Sequence, residues 1–233
     1  AGCAMEPGDS EGDTSAVEED MTDGTVVSSP LGAVRITGGP VTSCSATIVG
    51  TRALLTAAHC VNHKRWDSGG RGGPTISNPE KTAGLHGVQS SVCVVPTDST
   101  IFNRDVAVCQ LDKAVPSSVV IAMGTSWNTG TSTAIGFGKS GIGCSKAIDG
   151  KRRARNVVTP MEGIKFPYTA CEGDSGGPML FGGKVFAVNN KVSLTGNQYT
   201  GVAPIYASAT GTIGAWVKSA VLSANQGTLL SFP

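Results

Sequence analysis

Three short stretches carry residues that could do chemistry together. "LLTAAHC", residues 54–60, sets His59 directly before a cysteine. "NRDVAVCQL", 103–111, puts Asp105 at the mouth of an apolar run, and "CEGDSGGP", 171–178, holds Ser175 in a Gly-rich loop. A serine hydroxyl is a poor nucleophile near neutral pH and needs a base within hydrogen-bond reach. An imidazole serves as that base when a carboxylate fixes its tautomer. Glycines beside the serine leave room for backbone N–H groups to face a developing oxyanion. Taken singly, each residue has a plainer use: a histidine in an Ala-rich strand packs, and an aspartate before an apolar run turns the chain. His59 and His63 also stand four apart, a spacing that zinc ligands use on a helix, but no third ligand follows at a suitable spacing. Neither a metal nor a cofactor is expected.

In this order and in these contexts the stretches resemble the trypsin/chymotrypsin-like serine proteases, over roughly residues 21–220. The resemblance implies His59 as general base, Asp105 as the group that orients it, and Ser175 as nucleophile. It implies an oxyanion hole made by the backbone N–H groups of Gly173 and Ser175. It also implies an all-β fold of two packed Greek-key antiparallel β-barrels with a C-terminal α-helix, in a domain over 21–233 whose halves meet at about 113–122. The expected activity is that of a serine endopeptidase working through an acyl-enzyme on polypeptide substrates, as a monomer. A second class of reading is a protease-like binding protein without catalysis.

The cysteines are read against the same family. Cys44 and Cys60 match its disulfide that staples the histidine loop. Cys93 and Cys109 match no bridge of the family, but they flank Asp105 on two strands that should be antiparallel neighbours, where a cross-strand disulfide is geometrically reasonable. The usual partner of Cys171 is missing, and Cys144, after "GFG", is the cysteine left for it. Paired cysteines imply an oxidising, extracytoplasmic compartment. The seventh, Cys3, stands in "AGC", the ending of a bacterial lipobox, or is a stray thiol; the chain is read as secreted or anchored to a bacterial envelope.

Specificity departs from the trypsin pattern. The pocket base falls on Thr169, not an aspartate, so cleavage after Lys or Arg is not implied. The strand lining the pocket reads Asn189-Asn190-Lys191, within about one position, and Gly201 lines the far wall; Glu172 flanks the cleft. Lys191 at the rim could accept an acidic side chain, or the pocket could take a small or polar one.

The elements that must hold these residues are short. The chain has 32 glycines in 233 residues, few aromatics, and many brief Val-, Ile- and Thr-rich runs bounded by turn residues, which favours antiparallel strands over βαβ units. One segment, about 211–224, has apolar residues at helical spacing: Ile213, Trp216, Val217 and Val221. Residues 1–20 form an acidic leader. Residues 1–23 hold eight acids and no Lys or Arg, leaving nine acids against eighteen bases in the rest. The bases are scattered except for "KRRAR" at 151–155, read as a solvated loop rather than a nucleic-acid patch because no aromatics interleave it.

Two stretches compete for the amino terminus of an activated form. "RITGG", 35–39, imitates an activation site, but Ile36 lies only 23 residues before His59, and a cut there would divide "GAVRIT", the one candidate for the first strand. Met21 stands 38 residues before His59, a better match to the family's spacing. The expectation is a zymogen cut after Asp20, by another protease or by itself, freeing Met21 to pair with Asp174.

Overall fold

The computed structural model describes residues 24–38, 43–61, 66–67, 74–78, 84–97, 104–125, 130–141, 144–159, 165–166, 170–192, 200–204 and 213–232. In chain order the strands are β1 (Thr25–Val26), β2 (Ala33–Thr37), β3 (Cys44–Gly50), β4 (Ala53–Thr56), β5 (Trp66–Asp67), β6 (Thr75–Ile76), β7 (Ser90–Val94) and β8 (Ala107–Leu111). They continue as β9 (Gly130–Gly136), β10 (Arg153–Thr159), β11 (Lys165–Phe166), β12 (Pro178–Phe181), β13 (Lys184–Val192) and β14 (Thr200–Pro204), before the helix α1 (Ile213–Gln226). The described residues form two seven-stranded sheets, ordered β5-β7-β8-β4-β3-β2-β6 and β1-β10-β9-β12-β13-β14-β11. This is the all-β architecture with a C-terminal helix that the sequence resemblance implies. The chain changes sheet between Leu111 and Gly130, while β1, far upstream, pairs with β10 at Thr25↔Ala154 and Val26↔Arg153.

The first sheet owes its core to aliphatic residues: Ile36, Ile48, Leu54, Leu55, Ile76 and Leu111 are all essentially removed from water. β3 is buried along its whole length, because α1 and the second sheet cover what its own barrel does not. A strand with both faces covered reads as a continuous small and apolar run rather than an alternation, and "CSATIVG" does. The helix buries Gly214, Val217, Ala220, Val221 and Ala224, one face at helical spacing, against β3, β4 and β8. Asn225 fastens its end, accepting the Arg52 N–H at 3.0 Å, and Trp216 meets Phe232 edge-on with ring centroids 5.7 Å apart.

The strand β2 contains Arg35 and Ile36, with Ile36 buried and paired to Cys44. An amino terminus at Ile36 would remove most of that strand.

"KRRAR" is not a solvated loop. Arg153 opens β10, and Arg152 is fully buried. Arg152 Nε donates to the Ala33 carbonyl at 3.0 Å, one terminal nitrogen donates to the Ser28 carbonyl at 2.9 Å, and the guanidinium lies 5.2 Å from the Phe137 ring centroid. Carbonyls and an aromatic face replace water around the charge, and the contact ties the second sheet to the start of β2.

Candidate active site

His59 sits on a single 3-10 turn, Ala58–Cys60, at the end of β4, and Asp105 lies just before β8. β4 and β8 pair through Thr56↔Ala107, so the two residues emerge side by side. Asp105 is turned inward by a tight reversal in which Arg104 takes a positive φ of 52° and the Val106 N–H donates to the Arg104 carbonyl at 2.8 Å. The Asp105 carboxylate is wholly buried and accepts twice from one residue: from His59 Nδ1 at 2.7 Å and from the His59 backbone N–H at 2.9 Å. A carboxylate only accepts, so Nδ1 carries the ring proton and Nε2 keeps its lone pair. That is the state a general base needs.

Ser175 lies in the loop between Cys171 and β12, half-exposed above a floor of glycines. Gly176, at φ +83°, packs so closely that a Cβ there would sit 2.1 Å from Thr56 Oγ1 and 2.2 Å from the Ser45 carbonyl oxygen. Gly173 has φ +99°, a conformation that excludes most side chains. The peptide before it is held from outside: the Lys139 N–H donates to the Glu172 carbonyl at 2.9 Å. In a trans peptide the next N–H points the opposite way, so the Gly173 N–H is aimed away from Lys139. The peptide after it is held by Ser45, whose hydroxyl donates to the Gly173 carbonyl at 2.8 Å and accepts from the Phe137 N–H at 3.0 Å.

The Cys44–Cys60 disulfide stands between His59 and the Ser175 loop. Cys60 Sγ is 3.8 Å from His59 Nε2 and 3.7 Å from the Ser175 carbonyl oxygen, which also accepts the Ser45 N–H at 2.8 Å. Cys44, Cys60 and His59 offer three ligand-type atoms within 4.8 Å of one another. With both sulfurs committed to each other, no thiolate is left there for a metal. Cys93–Cys109 bonds two residues directly opposite on β7 and β8, and Cys144–Cys171 closes onto the Ser175 loop.

Asp174, next to Ser175, is buried. Its two oxygens accept from the backbone N–H groups of Gly138 and Cys171, each at 2.8 Å. A Cβ on Gly136 or Gly138 would collide with this carboxyl, at 2.0 and 2.6 Å, so both positions require glycine. Burial pushes the Asp174 carboxyl up to about 6, against the two N–H donors and the more distant Arg153, which pull it down.

Of the pocket residues, Asn190 and Glu172 are described in full. β13 runs beside the Ser175 loop, with the Gly176 N–H donating to the Asn189 carbonyl at 2.7 Å and the Asn189 N–H to the Gly177 carbonyl at 2.9 Å. Asn190 sits in a bulge where the register of β13 shifts, is 5% exposed, and has a buried Oδ1 without a hydrogen-bond partner among the described residues. Lys191 and Gly201 face each other as register partners on β13 and β14. Glu172 is exposed and pairs with Lys139. Thr169, Asp20, Met21 and Cys3 lie outside the described residues.

Sequence reasoning missed Ser45 and Gly138. Each acts on a residue far away in the chain, Ser45 on one 128 positions distant, and no local spacing signals such a contact.

No curated protein matches the chain. A protein-family model described as trypsin matches residues 26–212, a span that contains both sheets, the His59–Asp105 pair and the Ser175 loop. The chain therefore belongs to the trypsin family of serine proteases.

Proposed function

We propose that the chain is a serine endopeptidase. The observation that carries the reading is the His59–Asp105 pair: a wholly buried carboxylate lies 2.7 Å from Nδ1, so that Nε2 is the ring nitrogen to take a proton beside the Ser175 loop. In this reading Ser175 Oγ attacks the carbonyl carbon of the scissile peptide and passes its proton to His59 Nε2. The oxyanion is held by the N–H groups of Gly173 and Ser175. His59 then protonates the leaving amine, and an acyl ester remains on Ser175. Water, giving its proton to His59, attacks that ester and restores the serine. The two peptides flanking Gly173, one fixed by Lys139 and the other by Ser45, support a hole that is formed before substrate arrives.

A fluorophosphonate probe with peptide mapping tests this. Labelling of Ser175 that disappears in Ser175→Ala and falls in His59→Ala is expected. A folded chain that hydrolyses no peptide and takes no label, with or without residues 1–20, would favour the binding-protein reading.

The finer reading is a zymogen of extracytoplasmic location, cut after Asp20. Among the described residues Asp174 has only N–H partners and no salt bridge, and burial makes its ionised form costly. An amine delivered by a new terminus at Met21 would remove that cost. Three disulfides support an oxidising compartment. For specificity, Lys191 beside Gly201, Asn190 in the bulge and Thr169 favour acidic or small residues before the cut. Profiling on a peptide library tests this, and a preference for Lys or Arg would sink it.

A further inference from the structure

A cationic basin lies on the second sheet where the chain enters it. It has a volume of about 490 Å³ and a wall that includes Gly24, Lys146, Asp149, Lys151 and Arg153. Arg153 is committed to Asp149 through two bonds of 2.7 and 2.8 Å, an exposed i,i+4 pair that consumes the basin's one carboxylate. The Lys151 N–H also donates to Asp149 at 3.0 Å, which sets the turn. Lys146 and Lys151 are exposed, and neither forms a salt bridge among the described residues, Lys151 acting on Asp149 only from beyond ion-pair distance. The backbone of Lys146 is fixed by a reciprocal bridge with Ser140, N–H to carbonyl in both directions at 2.7 and 3.2 Å. The two ammonium groups are thus presented from a braced surface. Their site carries a net charge of two positive by count.

We infer that this basin holds the acidic segment of the same chain, residues 18–23, through Lys146 and Lys151. Two independent observations select this occupant. The first is continuity: Gly24 is part of the basin's wall, and Glu18, Glu19, Asp20 and Asp23 lie within six residues of it. At about 3.5 Å per residue these carboxylates cannot leave the neighbourhood of the basin, so their effective concentration there is high. The second is charge: the first 23 residues carry eight acids and no base, the complement of two ammonium groups that form no salt bridge among the described residues. The inference needs neither hydrolysis nor a cut at Asp20, so its test is separate from those of the activity.

The test is zero-length carbodiimide cross-linking of the full chain carrying Ser175→Ala, read by mass spectrometry. Cross-links from the carboxylates of residues 18–23 should concentrate on Lys146 and Lys151, and fade in ~1 M salt, where the screening length is about 3 Å. Lys113, Lys184 and Lys218, exposed elsewhere, are the internal controls. Equal capture by those lysines, or none at Lys146 and Lys151, overturns the inference. So do cross-links that, in a mixture of isotopically labelled and unlabelled chains, join different copies. As a second reading, Lys146→Glu with Lys151→Glu should speed hydrogen exchange of residues 18–23 by up to about thirtyfold, the worth of two such pairs at the upper end of their range. Unchanged exchange in a folded variant would refute the docking.

Discussion

Asp174 offers a prediction whose sign and size both follow from its surroundings. Its carboxyl is buried against Gly136 and Gly138 and is raised from 3.8 to about 6. Between those values the native state holds a proton that the unfolded chain has released. Native protein then binds more protons than unfolded, so this group's contribution is fully present below about pH 4 and is lost as pH rises toward 6. The difference of about two pH units amounts to about 3 kcal/mol. Asp174→Asn removes the titration. It also leaves one of the two N–H groups, Gly138 or Cys171, facing an amide NH2 instead of an oxygen, a pH-independent cost of about 1–3 kcal/mol. Urea unfolding of Ser175→Ala chains with and without Asp174→Asn, at several pH values from 3.5 to 7.5, isolates the term, because all other carboxylates cancel in the difference. The variant should be the less stable at pH 3.5 and gain about 3 kcal/mol relative to its parent by pH 7. A flat difference, or one that moves the other way, would mean a cation holds Asp174 ionised and would refute the reasoning.

Four further outcomes follow from particular contacts. Asp105→Asn should preserve the fold while kcat falls by about 10⁴, since an amide no longer enforces the ring tautomer; kinetics at saturating peptide check it. Ser45→Ala should orphan the buried Phe137 N–H, cost about 1–3 kcal/mol in urea unfolding, and lower kcat far more than it raises KM. Gly176→Ala, with its Cβ driven into Thr56 and Ser45, should cost about 3 kcal/mol or more, seen as a loss of thermal stability. Replacing Cys93 and Cys109 together by Ser opens a link between positions 16 apart and should lower unfolding free energy by about 3 kcal/mol.

The family was legible because its motifs are written in short contiguous runs. "TAAHC" and "GDSGGP" need their neighbours: the cysteine for the staple, the glycines for positive φ and close packing at Gly173 and Gly176. The strand-rich character and the helical face read at about 211–224, which the structure places at Ile213–Gln226, were legible for the same reason, as periodic burial is local. What escaped is non-local or runs against composition. Arg152 reads as solvent-facing in any charge count, yet lies under Phe137 and two carbonyls. Ser45 is one small polar residue in a buried strand, and its importance appears only when Gly173 and Phe137 arrive from the other sheet. The bulge at Asn190 depends on how β13 registers with β14, which no pattern along one strand reveals.

The proposed base and its carboxylate belong to one sheet and the proposed nucleophile to the other, while β1 waits for a partner more than a hundred residues downstream. During synthesis, then, the first sheet can close around a His59–Asp105 pair that has nothing to activate. At ribosomal rates of about 5–20 residues per second, the loop bearing Ser175 emerges several seconds later, and β13, which braces it, later still. A nascent chain therefore carries half of the proposed reaction centre for about a quarter of its synthesis, the 64 positions from Leu111 to Ser175 out of 233. The division of labour between the sheets acts as a timer that delays any hydrolysis until both halves of the polypeptide have been made.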